Sequence, residues 1–273
     1  MPKLTTPDQV NLNYTDIGSG RPIVMIHGWP LSGAAFADNA KVLAAAGYRV
    51  ITYDRRGFGQ SGKPRDGYDY DTLAADLDAL LTGLDLHDVA LLGFSMGGGE
   101  VARYLATRGS ERVGAAILSG SICPALCITK DNPDGAMPRE GFQELADACA
   151  ADHAGFVDQF CGWFYSNEQG LTVPEEIRQQ AVEIARQSAP HAAVATILTW
   201  TEDLREDCRR IDVPLLVIHG DGDQNVPLAK SSARMPEYAQ QAQLVVIEGG
   251  PHGINVSHAD QWNAAILSFL AGS

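Results

Sequence analysis

Short apolar runs alternate with segments of helical periodicity along most of the chain. Continuous apolar runs rich in β-branched residues are typical of strands buried on both faces of a parallel sheet. The sequence contains six such runs, at 23–27, 48–53, 89–94, 113–119, 214–220 and 244–249. Apolar residues recur at three- and four-residue spacing in four predicted helices, 33–47, 71–84, 96–109 and 259–272. Strands that alternate with helices predict an α/β fold with a mostly parallel central sheet flanked by helices.

Two segments depart from this alternation. Residues 10–18 alternate polar and apolar positions, which predicts an antiparallel strand at the edge of the sheet. Residues 121–212 are helical in pattern and rich in aromatic side chains. An insertion of this size on a finished sheet is expected to cover the strand ends, where open α/β sheets bind their ligands. The predicted organisation is a core of residues 1–120 and 213–273 with an inserted helical cap of residues 121–212.

Composition narrows the classes of function. The chain has 273 residues, of which 45% are hydrophobic, so it can bury a large core as one domain with an insertion. Its net charge of −14 disfavours nucleic acid and anionic membranes as partners, because both require a basic face. The amino terminus lacks a signal-peptide pattern, and no stretch reaches the roughly 18 apolar residues of a membrane span. A cytoplasmic protein is therefore predicted.

Neither a metal nor a nucleotide site is predicted. The five cysteines are odd in number and irregular in spacing, which favours reduced thiols, and no histidine stands at ligand spacing from Cys123 and Cys127. Residues 57–62 match the glycine pattern of a dinucleotide-binding loop. However, Lys63-Pro64 follows where a helix would have to begin, so a pyrophosphate would find no helix N-terminus. This segment is predicted to be a sharp loop between a strand and a helix.

A single serine stands among glycines at the junction of the predicted strand 89–94 and helix 96–109. The stretch GFSMG (93–97) has the spacing of a nucleophile elbow, in which a tight turn presents the hydroxyl of Ser95 above the sheet. Small neighbours are needed there because the turn crowds the backbone. The motif is weak evidence alone, because the hydroxyl needs a base and the base needs an orienting acid.

Candidates for both partners follow the ends of later strands, in the chain order serine, acid, histidine. His252, after the strand 244–249, is the predicted base. Asp223, after the strand 214–220, is the predicted acid, and Asp221 on the same loop is the alternative. His219 lies too close to the strand core to act as the base. The remaining loop and helix histidines are predicted to be surface residues: His87, His153, His191 and His258.

Negative charge that develops during attack on a carbonyl requires hydrogen-bond donors nearby. The segment HGWP (27–30) follows the strand 23–27, so the backbone N–H of Trp29 can converge with that of Met96 at the helix start. These two donors are the predicted oxyanion hole. The ring of His27 is expected to hold the loop in place.

The motifs together resemble the α/β-hydrolase family of cofactor-free haloperoxidases, arylesterases and perhydrolases. The resemblance rests on HGWPLS, YDRRGFGQS, GFSMGGGEVARY, IDVPLLVIHGDGDQNVP and GGPHG, and covers essentially the whole chain. It implies an α/β-hydrolase fold and a serine-esterase triad of Ser95, Asp223 and His252. It implies no haem, metal or flavin cofactor. It also implies that hydrogen peroxide can replace water in releasing the acyl group, which yields a peracid that oxidises halide.

The resemblance further implies an acyl pocket covered by the cap. Approximate alignment places six residues in the pocket wall: Ile122, Leu126, Phe160, Phe164, Trp200 and Asn225. Pro30, beside the predicted oxyanion hole, and Phe94 are also predicted to bind the substrate. The cap matches the family loosely, and Asn225 stands where the family usually has a hydrophobic residue. The natural substrate is therefore not set by the resemblance.

The predicted function is hydrolysis of small carboxylic esters through an acyl-enzyme, with perhydrolase activity. A lactonase or a carbon–carbon bond hydrolase with the same triad is the alternative enzyme. A non-catalytic binding protein on this fold is the alternative from another class, against which an intact triad argues. The predicted partner is a small-molecule ester, and the oligomeric state is left open, including a homo-oligomer.

Overall fold

The computed structural model describes residues 2–273 and places all six predicted buried strands in one sheet. Within these residues the strands are β1 (Lys3–Thr5), β2 (Asn11–Gly18), β3 (Pro22–Ile26), β4 (Arg49–Tyr53), β5 (Val89–Phe94), β6 (Val113–Ser119), β7 (Cys127–Ile128), β8 (Met137–Pro138), β9 (Ser166–Asn167), β10 (Gly170–Leu171), β11 (Leu215–Gly220) and β12 (Ala242–Ile247). The α/β class is confirmed.

Helices cover the two faces of the sheet and fill the insertion. They are α1 (Ala37–Ala45), α2 (Tyr70–Gly83), α3 (Met96–Arg108), α4 (Arg139–Ala151), α5 (His153–Phe164), α6 (Glu175–Ala185), α7 (Pro190–Thr199), α8 (Arg205–Arg209), α9 (Ile254–Ser257) and α10 (Ala259–Leu270). The first predicted helix begins later than expected, because Gly33–Phe36 forms a tight 3₁₀ turn capped by the side chain of Ser32.

The strand order is β1-β2-β4-β3-β5-β6-β11-β12, and the pairs from β4 to β12 are all parallel. Strand β2 pairs antiparallel with β4, as predicted. Its predicted position at the edge was wrong, because β1 pairs along its outer side. A strand of three residues is too short to leave a periodic signal in the sequence.

Strand β12 lies at the opposite edge of the sheet. The sequence predicted a strand buried on both faces, which was wrong: Leu244 is 37% exposed and Val246 is 45% exposed. Within the described part of the chain, no strand pairs with its outer side. An apolar run cannot distinguish a central strand from a terminal one, because the pattern does not show what covers each face.

The segment 121–212, predicted to be a helical cap, lies between β6 and β11. It contains α4 to α8, but also two small two-stranded sheets, β7 with β8 and β9 with β10, which the helical pattern did not predict. Each of these strands has only two residues. Strands of this length carry no periodicity of their own.

Parallel strands bring the loops at their carboxyl ends to one edge of the sheet, and this edge carries the candidate residues. The glycine-rich segment 57–62 is part of a loop between β4 and α2, as predicted, and α2 begins after the capping side chain of Asp69. No helix in residues 2–273 is both long and apolar enough to cross a membrane.

Candidate active site

Ser95 occupies a sharp turn between β5 and α3. Its φ of +54° lies in the left-handed region, which is strained for a residue with a side chain. The turn is possible because its neighbours are glycines: a Cβ atom on Gly93 would collide with the carbonyl oxygen of Gly97. A Cβ on Gly97 would lie 2.5 Å from the carbonyl oxygen of Ile26 on β3. The sequence thus places the serine hydroxyl above the sheet on a close-packed support.

Ser95, His252 and Asp223 form one chain of hydrogen-bonding contacts. The Oγ of Ser95 lies 2.9 Å from Nε2 of His252, and Nδ1 of His252 lies 2.6 Å from Oδ2 of Asp223. Since a carboxylate only accepts, Nδ1 of His252 carries a proton, and Nε2 of the neutral ring is free to accept from the serine hydroxyl. This geometry suits removal of the serine proton during nucleophilic attack.

The carboxylate of Asp223 is buried and accepts several hydrogen bonds. Its Oδ1 accepts from the backbone N–H groups of Asn225 at 2.9 Å and Val226 at 2.8 Å. Burial opposes ionisation, but contacts with His252 and His219 outweigh it and hold the pKa of Asp223 well below its usual range. The carboxylate is therefore ionised at neutral pH and can stabilise a positive charge on His252.

Asp221, the alternative acid, is turned away from this chain of contacts. Its Oδ1 accepts from the backbone N–H of Gly249 at 2.6 Å, and the residue is exposed. Asp221 therefore stabilises the turn between the two loops.

His219 is buried in the core, as predicted, but it also contacts the candidate acid. Its Nε2 lies 3.1 Å from Oδ2 of Asp223. Sequence reasoning missed this contact, although the spacing of four residues was visible.

The predicted oxyanion loop lies against the serine. A Cβ on Gly28 would lie 3.0 Å from Cβ of Ser95 and 2.8 Å from a ring atom of Phe94, so only glycine permits this approach. Among the described residues, no backbone or side-chain acceptor takes up the N–H of Trp29. The N–H of Met96, the first residue of α3, has no acceptor within its own helix. Both predicted donors are therefore available to a ligand.

A buried ion pair supports this loop from behind. Arg55 and Glu100 are 1% and 0% exposed, and Nε of Arg55 donates to Glu100 at 2.5 Å. The Nη2 of Arg55 donates to the carbonyl oxygen of His27 at 2.7 Å. The other carboxylate oxygen of Glu100 accepts from the hydroxyl of Tyr53 at 3.0 Å. This pair was not predictable from the sequence, because its members are 45 positions apart.

The ring of His27 holds the loop, as predicted. Burial, followed by the charge of Arg55, keeps the pKa of His27 well below its usual value, so the ring is neutral. Its Nε2 accepts from the backbone N–H of Arg55 at 3.0 Å, which leaves Nδ1 to donate to the carbonyl oxygen of Gly28 at 2.9 Å. The loop is thus fixed through both its main chain and this side chain.

We expect Glu100→Ala to lower the free energy of unfolding by about 3–5 kcal/mol, because it leaves the Arg55 guanidinium buried without its counter-charge. Urea denaturation measures the effect. Asp38→Ala is the control, since Asp38 pairs with Lys41 on the surface, with 94% of its side chain exposed, and should leave the midpoint unchanged. Equal midpoints for the native protein and Glu100→Ala would contradict this assignment.

A cavity of about 310 Å³ opens beside Ser95 and His252. Five of the eight residues predicted for the substrate site line it: Ile122, Leu126, Phe160, Trp200 and Asn225. Trp29, one of the predicted oxyanion donors, also lines the cavity. The lining is mostly apolar, which suits the hydrocarbon part of a small ester.

The other three predicted residues lie elsewhere in the site. Phe94 and Phe164 pack on the ring of His252, with centroids 5.3 and 4.9 Å away. Pro30 is buried in the oxyanion loop beside Trp29. Alignment alone could not separate residues that support the catalytic ring from residues that face the cavity, because both are apolar and close in sequence.

Sequence reasoning missed several residues of the cavity wall. They come from the insertion and from the acid loop: Ala136, Met137, Phe142, Leu145, Trp163, Gln224 and Val226. The aromatic content of residues 121–212 was the available signal, but it did not show which aromatic side chains line the cavity.

Two buried polar atoms of this wall have no hydrogen-bond partner within residues 2–273. They are the indole Nε1 of Trp200, a donor, and the amide Oδ1 of Asn225, an acceptor. Unpaired buried polar atoms are costly, and these two line a cavity in which a ligand could supply their partners. As for metal binding, no three His, Cys, Asp or Glu side chains within these residues group in a way that could hold an ion.

Comparison with known proteins assigns the chain to a family. The sequence model of the family described as alpha/beta hydrolase fold matches residues 21–259, which include Ser95, Asp223 and His252. The chain belongs to the α/β-hydrolase family. The family match and the observed sheet confirm the α/β-hydrolase fold that the motifs implied.

Relatives within the family agree with the predicted subgroup. The chain is 45% identical to a putative non-heme chloroperoxidase of Synechocystis sp., over 96% of this chain and 95% of that one. It is 32% identical to a bifunctional esterase/perhydrolase of Acinetobacter calcoaceticus, over 98% of both chains. The crystal structure of a bromoperoxidase from Bacillus anthracis superposes with a TM-score of 0.96 at 39% identity, covering 99% of each chain. The resemblance to haloperoxidases, which the relatives' names describe as non-heme, and to esterases and perhydrolases is thus confirmed.

Proposed function

We propose that this α/β-hydrolase cleaves small carboxylic esters through an acyl-enzyme and also forms peracids from hydrogen peroxide. The observation that carries the proposal is the unbroken contact from Ser95 through His252 to the ionised Asp223, beside an apolar cavity. The names of the relatives support both halves, since they include an esterase/perhydrolase and non-heme haloperoxidases.

In the first half-reaction Ser95 attacks the ester carbonyl while His252 takes its proton. Asp223 holds the imidazole in the required tautomer and stabilises its positive charge. The N–H groups of Trp29 and Met96 stabilise the developing oxyanion, and each such donor is worth about 3 kcal/mol of barrier. His252 then gives its proton to the leaving alcohol, which departs and leaves the acyl group on Ser95.

In the second half-reaction water or hydrogen peroxide attacks the acyl-enzyme, and His252 again serves as the base. Water releases the carboxylic acid. Hydrogen peroxide releases a peracid, with its proton returned to the oxygen of Ser95. In solution the peracid transfers its terminal oxygen and the proton on it to bromide and becomes the carboxylate, so that hypobromous acid forms without a redox cofactor. The segment 121–212 acts as the cap, since its side chains supply most of the cavity wall.

A substrate panel tests the proposal. Nitrophenyl esters of increasing acyl length, lactones and dienones are compared by kcat/KM. The proposal expects the short esters to be the best substrates, with activity falling once the acyl chain exceeds the cavity of about 310 Å³. Cleavage of dienones without cleavage of esters would overturn it.

Lactone hydrolysis is the second candidate, because two polar atoms of the cavity wall lack partners. A lactone oxygen could accept from Nε1 of Trp200, and a hydroxyl group on the acyl chain could donate to Oδ1 of Asn225. The panel separates the two: a lactone preferred over the short nitrophenyl esters would assign this activity as the main one.

We expect the native protein to brominate a phenolic dye when given acetate, hydrogen peroxide and bromide, and Pro30→Leu to lower the ratio of perhydrolysis to ester hydrolysis. Pro30 lacks an N–H and restricts the backbone of Trp29, whose carbonyl can accept a hydrogen bond from attacking peroxide. Dye bromination and nitrophenyl acetate hydrolysis are measured on the same preparation.

Pro7→Leu is the control for this prediction, since Pro7 is exposed and lies in the turn between β1 and β2. It should leave the ratio unchanged. An unchanged ratio in Pro30→Leu with both rates intact would mean that Pro30 only stiffens the loop. The absence of any bromination would leave a plain esterase or lactonase.

A further inference from the structure

A second histidine approaches the carboxylate that supports His252. His219, near the end of β11, is fully buried, and its Nε2 lies 2.8 Å from the carbonyl oxygen of Val226 and 3.1 Å from Oδ2 of Asp223. On the other side of the ring, Nδ1 lies 2.7 Å from Oγ of Ser232. Every polar atom of this imidazole is therefore engaged.

The partners assign the tautomer of His219. A carbonyl oxygen and a carboxylate oxygen can only accept, so Nε2 carries a proton, which it donates to Val226 and shares with Asp223. The hydroxyl of Ser232 then donates to Nδ1, which satisfies a neutral ring.

His219 thereby acts on both oxygens of the carboxylate. Oδ2 faces the N–H of His219 directly, and the same oxygen lies 2.6 Å from Nδ1 of His252. Oδ1 accepts from the N–H of Val226 at 2.8 Å, and Nε2 of His219 donates to the carbonyl oxygen of the same residue. The ring closes a loop of contacts around Asp223, so the carboxylate cannot rotate without breaking one of them.

We propose that His219 is a positioning residue, which sets the orientation and the effective charge of the Asp223 carboxylate and through it the pH range in which His252 acts as a base. The proposal rests on the proposed function, since it takes Ser95, His252 and Asp223 as the triad. The direction of the effect follows from electrostatics. The N–H of His219 offsets part of the negative charge on Oδ2. Removing this N–H therefore strengthens the electrostatic attraction between Asp223 and a protonated His252.

Few other charged groups face this cluster within residues 2–273. Asp221 is bonded to Gly249 instead, and Arg234, on the turn that carries Ser232, donates to Asn132. Tyr165 packs on Gly253, next to His252, and burial raises its pKa, so it stays neutral. The charge of Asp223 is therefore the main one that His219 can modulate.

The rival explanation is that His219 only anchors the loop 223–232. Three variants separate the two. His219→Leu removes the N–H, His219→Gln keeps a donor near the position of Nε2, and Ser232→Ala removes the contact at Nδ1 but leaves the carboxylate contact intact. Ser232 has no place in the triad or the cavity wall, so its variant is the matched control for loop anchoring.

The test is the pH dependence of kcat/KM for nitrophenyl acetate in these variants. We expect His219→Leu to move the acid-side midpoint upward by about half a pH unit or more and to lower the plateau about tenfold. His219→Gln should restore most of both, and Ser232→Ala should keep the native midpoint. A folded His219→Leu with the native midpoint, or a Ser232→Ala midpoint shifted as far, would overturn the proposal.

A second measurement keeps the test independent of the substrate. The proton between His252 and Asp223 is followed by ¹H NMR as the pH is lowered, in the native protein and in His219→Gln and His219→Leu. The titration midpoint should move upward in His219→Leu even if the native protein hydrolyses no ester. A native protein without ester hydrolysis contradicts the proposed function, whereas an unmoved NMR midpoint contradicts the role of His219.

Discussion

Ser95→Ala should lower kcat/KM for nitrophenyl acetate by about a thousandfold or more, while the protein stays folded. The hydroxyl is the only group on the elbow that can form the acyl-enzyme, and its Oγ lies 2.9 Å from the candidate base. The fold should survive because alanine has the same Cβ as serine and meets the same strain at φ +54°. Initial rates and thermal unfolding of the two proteins measure both parts.

Ser121→Ala is the matched control for this variant. Ser121 is a buried serine close to α3, and its Oγ accepts from the backbone N–H of Cys123 at 3.1 Å, outside the triad. It should keep the rate within a few fold. If folded Ser95→Ala retained a tenth of the native rate, the nucleophile would have to be sought elsewhere.

Asp223→Asn should lower kcat/KM by about 10⁴-fold, whereas Asp221→Asn should change it only a few fold. An amide at position 223 can turn its NH₂ toward Nδ1 of His252, which favours the tautomer whose Nε2 carries a proton and cannot accept from Ser95. Within residues 2–273 the carboxylate of Asp221 has no partner but the backbone N–H of Gly249 on the neighbouring loop, at 2.6 Å. The two variants remove the same charge from the same loop, so their difference isolates the contact with His252.

The opposite result would transfer the orienting role to Asp221. Similar losses in both variants would point instead to the net charge of the loop or to its folding. Thermal unfolding of the two variants distinguishes these outcomes, since a folding defect lowers the midpoint along with the rate.

The order of elements was predictable because buried parallel strands and their helices leave strong periodic signals. Strands β5 and β6 begin and end at the predicted residues. The short strand β1 and the two-residue strands of the insertion left no such signal, and the exposure of β12 depends on what packs beside it. These errors share one cause, since periodicity records the faces of long elements and not their neighbours.

The candidate site was predictable in its chemistry but not in its support. Glycines around Ser95, and acids and a histidine after later strands, carry a local requirement that the sequence displays. His219 and the Arg55–Glu100 pair carry none, because each is an ordinary residue until the fold brings its partner within about 3 Å. The choice between Asp221 and Asp223 was likewise open in the sequence, where both stand on the same loop.

The sequence by itself therefore determined the α/β class and the family, and it predicted the serine and the histidine of the candidate site, because turn geometry and hydrophobic burial are local properties of the chain. The tertiary structure alone decided which carboxylate faces His252, which apolar side chains line the cavity, and which polar atoms of its wall lack partners. Those outcomes depend on distances between side chains that lie far apart in sequence. Such distances result from how the insertion and the strand-end loops pack, which no local pattern records.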